Sequence, residues 1–482
     1  MQLPHFDSTH ISAFDAEEHH SANAPRLIGY FTLFITICFF VATPIGVWYS
    51  NESDFWGNLF RILTSPSKLV TDYFALGGLG SAFFNTAICG LATNFIIIFS
   101  GIKAKATTFA GYMLVVAHGF YGLNFLNMWP TIFGVLLYCL VCKQKFSDNV
   151  HIALFSTALG PFVSDFIFRY TIDSFNVSEP QVTVFGIIAA LLFGIAAGFV
   201  VPALLPGTTA MHRGFNMYKA GLAIGILGIF IYSFMYESLG IPAPDVVEIN
   251  NPEYYALQYS YRGFINIFFI ILFTSAILFG FVYNRYSFRG YQELFKSVSY
   301  GVDFLDKFGM PVCLINFGIY GFCILGYLNV IFILPEIFTF LPDGVGFTGP
   351  TVGVVFAALT FSADGQQPRT VAPIALGYVL LSVIVSIICS ILGTDVPWTL
   401  STQGYINGLA FSTGLCAFSG KYGKRYGVLA GFLSAIICTS TAEMHGGFVL
   451  YNGGFTAGLT ALVLLPILDF YKVKPKFEDD IK

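Results

Sequence analysis

Charge is what this sequence has least of. Only 10% of its 482 residues are Asp, Glu, Lys or Arg, against about 25% in soluble domains. Such a chain cannot cover itself with a charged surface, so its solvent is expected to be largely lipid. No basic stripe is present, which argues against a nucleic-acid partner. The motifs HExxH, GxSxG and GKS/GKT are missing, so the chain is not expected to be an enzyme of those classes. Glu443-Met444-His445 has no second histidine at helical spacing, which disfavours a zinc protease. With no ATP-hydrolysing domain, active transport would draw on an ion gradient.

The nine cysteines all lie in apolar stretches, where they act as small hydrophobes. Cys139-x-x-Cys142 has redox or metal spacing but no second such pair, so packing is the expected role. No metal or cofactor is expected. The first 26 residues are polar, carry His5, His10, His19 and His20, and lack a basic run leading into an apolar core. They read as a cytoplasmic tail rather than a cleaved leader.

What the chain has is apolar length. It is 56% hydrophobic, with 54 Phe and 49 Gly; Phe suits a lipid-facing surface and Gly lets helices approach closely. A spanning helix needs about 20 mostly apolar residues. Candidate spans are 27–49, 75–100, 106–123, 125–142, 150–170, 181–206 and 219–237, then 262–285, 311–327, 328–342, 350–363, 370–393, 427–442 and 453–471. The segment 402–418 is a further span or a re-entrant piece. The expected fold is an all-α polytopic membrane protein of about 14 transmembrane or re-entrant helices.

Residues 194–225 and 427–458 align without a gap, with about a dozen of 32 positions identical, among them Met211/Met444, His212/His445, Phe215/Phe448, Tyr218/Tyr451 and Gly221/Gly454. Fixed-offset similarity signals a repeat. Weaker matches extend it: Leu59-Phe60-Arg61 with Leu294-Phe295-Lys296, Asn85 with Asn316, and Pro130-Thr131 with Pro350-Thr351. The expected organisation is a tail (1–26), a first membrane repeat (27–237), an external linker (238–261), a second repeat (262–472) and a charged C-terminal tail (473–482).

Lys and Arg prefer the cytoplasmic side. The linker 238–261 has neither, and 171–180 is acidic and lacks both, so both read as external. Lys103, Lys105, Lys143, Lys145, the cluster 285–307, Lys421–Arg425 and Lys472–Lys476 read as internal, with both termini cytoplasmic in the cell membrane. Arg61 and Lys68 dissent. An odd number of spans per half leads to the same arrangement, two inverted repeats.

His212 and His445 lie in matched Thr/Ser/Gly-rich breaks between apolar runs, TTAMHRGF and STAEMHGGF. Irregular polar backbone at membrane depth is tolerated where it lines a cavity, and the following helix aims its positive end at the break. His212 and His445, with Thr208 and Thr441, are therefore expected to line a solute site; capping of a tight turn is the structural alternative. Arg213 stands opposite Gly446 and Glu443 opposite Ala210, so one half offers a cation and the other an anion, unless both are merely loop-exposed. Asn85 and Asn316 either bond across helices or face a polar path. Thr131 and Thr351 follow helix-starting prolines and are expected to present equivalent helix starts to a substrate. Asp165 and Arg169 are spaced to neutralise one another on one helix face. Asp364 and Arg369 flank the corresponding span of the other half, in a loop.

With its MHxGFxxY element, its PT-(IF/V)-GV element and its length, the chain resembles an uncharacterised family of bacterial multipass membrane proteins with a domain of unknown function present twice. The resemblance implies the duplicated membrane architecture and transfers no chemistry. The leading functional expectation is a secondary transporter moving a small polar or anionic solute by alternating access. A passive channel for a small solute is the alternative; a membrane scaffold or an unrecognised intramembrane enzyme is the third. The expected partners are the lipid bilayer and a small-molecule or ion solute, and homo-oligomerisation is left open.

Overall fold

The apolar runs become helices because, without water, every backbone polar group must be paired within its own segment. The computed structural model describes residues 13–65, 68–69, 71–168, 182–240, 252–338, 341 and 344–476. Helix is the regular structure they form, with no strand among the described residues, and nine helices are long and apolar enough to cross a membrane. Their outward faces carry large apolar side chains, such as Ile187 and Leu191 or Val383 and Ile387, a surface that only lipid would favour.

The elements fall into two series of the same order. The first is α1 (Ala13–Tyr49), the amphipathic α2 (Phe55–Thr64), α3 (Tyr73–Phe99), α4 (Ala106–His118), α5 (Trp129–Val141), α6 (Phe146–Ser156) joined through a 3-10 turn to α7 (Gly160–Phe168), α8 (Val184–His212) and α9 (Lys219–Tyr232) with a π-helical end. The second is α10 (Pro252–Tyr283), α11 (Tyr291–Lys296), α12 (Phe304–Ile337), α13 (Gly349–Ala358), α14 (Pro368–Leu392), α15 (Gln403–Ser412) joined through a 3-10 turn to α16 (Cys416–Tyr422), α17 (Lys424–Ile437), the single turn α18 (Ser440–Glu443) and α19 (Asn452–Phe470).

The correspondence reaches single residues. Asp72 and Asp303 cap α3 and α12 by accepting backbone N–H groups, and each helix then kinks at a left-handed glycine, Gly78 (φ 85°) and Gly309 (φ 76°). A side chain at either kink would be strained. Further on, α5 crosses α8 with Gly198 against the Thr131 backbone, and α14 crosses α17 with Gly431 against the Ile374 backbone.

That crossing corrects the sequence reading. Pro130 meets Gly194 and Pro373 meets Gly427, so the counterpart of Pro130-Thr131 is Pro373-Ile374. Thr351 belongs to α13, the counterpart of α4. Both prolines do start helices, and the shared Pro-Thr pair misled the alignment. Other boundaries shift too. Segments 311–327 and 328–337 form one helix, α12, and the helices α1 and α10 begin within the expected tail and linker, at Ala13 and Pro252. Segment 402–418 is the broken α15–α16.

Candidate functional site

The two halves meet at small residues. A Cβ on Gly221 of α9 would lie 2.5 Å from the Gly454 carbonyl carbon of α19, so backbone touches backbone at two positions matched in the repeat. Around them Gly225 faces Phe455, Gly458 faces Leu222 and Gly228 faces Val449. Along α9, Gly221, Gly228 and Tyr232 meet Gly454, Val449 and Gly446 in turn, so α9 runs antiparallel to the segment that enters α19, about an approximate two-fold axis. The α4–α13 contact behaves likewise, with Gly353 against the Ala117 carbonyl and Gly349 against that of Phe120.

The breaks that carry the Met-His-x-Gly-Phe elements are exchanged across this axis. Met217 N–H donates to the Gly414 carbonyl (3.1 Å) and Leu450 N–H to that of Ala158 (3.0 Å), each at the 3-10 turn of the other half. Phe215 packs on Phe418 (4.6 Å) under the Lys421 ammonium, and Phe448 packs on Phe162 (4.8 Å) under that of Lys68. Lys68, a dissenter from the charge rule, is thus a buried cation over an aromatic ring, an attractive placement.

The two-fold breaks down in one place. On one side α15 packs closely on α19: a Cβ on Gly453 would lie 2.5 Å from Phe411, and one on Gly408 2.7 Å from Cys438, the C-cap of α17. Asn452 Oδ1 there accepts from His445 Nε2 (3.0 Å), and its Nδ2 donates to the Cys438 carbonyl. On the matched side α6 stands off α9, and a cavity of about 350 Å³ opens between α4, α6, α8 and α9. Its lining includes His151, Lys219, Tyr218, Phe361, Asp364 and Tyr451.

The charged and imidazole groups in that cavity are residues at which the halves differ. Lys219 stands where the other half has Asn452, Asp364 where it has Tyr121, and His151 where it has Asn407. Tyr218 donates to the Ala357 carbonyl (2.5 Å). The matching carbonyl, Leu114, is bonded instead to His118 Nδ1 (2.7 Å), and the buried Tyr451 hydroxyl is left without a partner. A buried unpaired hydroxyl is costly.

Two segments, residues 51–237 and 283–470, match the family model described as "Protein of unknown function (DUF1576)". The chain belongs to this family. Each DUF1576 copy holds α2 to α9 or α11 to α19, while α1 and α10 lie almost wholly outside the copies. These two helices nonetheless pack equivalently, Gly46 of α1 against Gly80 and Gly280 of α10 against the Pro311 carbonyl. The structural repeat is therefore longer than the family match. No curated protein and no solved structure matches the chain.

None of the ten residues expected at the site lines this cavity. Asn85 donates to the Gly119 and Leu123 carbonyls, and Asn316 to those of Ser362 and Gln366; each pins the buried loop that follows α4 or α13. Thr208 and Thr131 bond carbonyls of their own helices. Thr441 bonds Thr456 (2.6 Å), and Thr351 bonds Thr348 and Gln403. His445 holds the start of α19 through Asn452, and its matched partner His212 is buried with both ring nitrogens unpartnered. Arg213 pairs with Asp469 (2.7 Å) rather than with Glu443, which is exposed. Asp165 is buried and accepts from the Tyr236 hydroxyl; its expected partner Arg169 lies outside the described residues. The signal that could have found the cavity was the difference between the copies, Lys219 against Asn452 above all, rather than their identity.

Proposed function

We propose that this protein is a secondary transporter of the cytoplasmic membrane, moving a small polar solute by alternating access between two oppositely oriented halves. The carrying observation is the pair of matched crevices, one open between α6 and α9, the other packed shut between α15 and α19. Two halves of the same design held in different conformations can exchange them, which moves the opening from one side to the other. Opposite orientation in the bilayer is supported by the antiparallel contact of α9 and α19, since an axis that reverses two spanning helices lies in the membrane plane. The distribution of Lys and Arg agrees, and it assigns the open crevice, bordered by Thr107 just after Lys103 and Lys105, to the cytoplasmic side.

A carrier fits better than a channel, because the α15–α19 seal interrupts any lumen and the duplicated asparagines are bonded to backbone instead of facing a path. The test is solute flux into proteoliposomes with and without a proton or sodium gradient. Saturable, gradient-dependent flux is expected; non-saturating flux indifferent to gradients refutes the carrier. A second readout is sided labelling with the native cysteines replaced: Thr209→Cys reacts from the cytoplasm, and its match Ala442→Cys reacts only from outside and only during turnover. Equal labelling of both from one side refutes the orientation.

A further inference from the structure

The cavity offers two opposite charges to whatever enters it. Lys219 is the first residue of α9, so its ammonium sits with the positive end of that helix and the two add for an anion. Asp364 comes from the loop between α13 and α14 of the other half, where burial above all, and then the Asp303 carboxylate, push its pKa up to about 6, below neutral pH. No ion pair joins the Lys219 and Asp364 side chains, and neither side chain makes a hydrogen bond among the described residues. Phe155, Phe361 and Tyr451 line the same cavity. A cation and a carboxylate held apart across a cavity of about 350 Å³, near the small end of ligand sites, fit one small molecule with both charges.

We propose that this cavity binds a zwitterion of amino-acid size, with its carboxylate on Lys219 and the start of α9 and its ammonium on Asp364; the inference rests on reading the cavity as the transport site. A ligand bridging Lys219 and Asp364 touches both halves at once. It thereby couples its own binding to their relative movement.

The test is equilibrium binding to the full chain in detergent micelles. The probes are the proteinogenic amino acids, with propionate and ethylamine as the acid and amine fragments of L-alanine. At least one amino acid is expected to bind saturably. If L-alanine is among them, each fragment should bind at least about tenfold more weakly, the worth of one charged contact. Lys219→Gln should weaken the amino acid by about tenfold and erase the preference for it over the amine fragment. Asp364→Asn should do the same toward the acid fragment. Lys219 is exposed, so its variant folds and decides the matter if the Asp364 variant does not. Fragments binding as tightly as the zwitterion, or Lys219→Gln leaving both affinity and preference unchanged, overturn the proposal, as does failure of every amino acid to bind at millimolar concentration. Binding without flux would instead remove the transport reading and leave this one standing, while flux of an unrelated solute without amino-acid binding would do the reverse.

Discussion

The contact at Gly221 and Gly454 makes a quantitative demand. A methyl group added at Gly221 falls 2.5 Å from the Gly454 carbonyl carbon and 2.6 Å from its Cα, and both are backbone atoms that no rotamer change can move. The helices must separate, and overpacking of this kind costs about 1–3 kcal/mol. The reciprocal change is milder. A Cβ on Gly454 meets the Tyr218 Cβ at 3.0 Å and the Gly221 Cα at 3.2 Å, so a shift of a few tenths of an ångström relieves it. Gly207 in α8 calibrates the intrinsic helical effect of the substitution, because nothing lies within 4 Å of its new methyl. The expected order of stability is Gly207→Ala, then Gly454→Ala, then Gly221→Ala, with the first and last separated by about 1–3 kcal/mol. Unfolding in mixed micelles titrated with denaturing detergent, followed by far-UV circular dichroism, measures it. If Gly221→Ala is as stable as Gly207→Ala, the backbone contact at the axis does not exist.

Other consequences follow from the same contacts. Asn85→Ala and Asn316→Ala each orphan two buried carbonyls and should destabilise by about 1–3 kcal/mol, with similar values because their environments match; a large disparity in unfolding would deny the repeat its symmetry. A double-mutant cycle on His445→Ala and Asn452→Ala should give a coupling of about 0.5–1.5 kcal/mol, whereas solute affinity stays unchanged, since neither residue lines the cavity. Asp469→Asn removes an ion pair whose side chains are 48% and 54% exposed, so stability should change by no more than about 1 kcal/mol.

The architecture was legible because its causes are local. Long apolar runs and a repeated Met-His-x-Gly-Phe element require only composition and spacing to be seen, and the amphipathic Leu59-Phe60-Arg61 segment announced α2 and α11 alike. The cavity was not legible for a physical reason. Residues identical in both halves, such as Asn85 and Asn316 or Phe215 and Phe448, are those whose packing both halves need, and they turned out to hold backbone and aromatic contacts. A cavity open on one side of a two-fold shows where the copies disagree, as at Lys219, Asp364 and His151, although the matched Tyr218 and Tyr451 line it too. The Pro130-Thr131 and Pro350-Thr351 pairing failed differently: a helix start is chemically generic, and only the Gly198 and Gly431 crossings reveal which starts correspond.

The exchange of the Met-His-x-Gly-Phe elements across the axis bears on biosynthesis. When the first half has been threaded into the bilayer, Ala158 still awaits the N–H of Leu450, and Phe215 still awaits the ring of Phe418. Neither half owns the groups that finish it, so expressing the halves as separate chains should yield two species that mature only when they find one another.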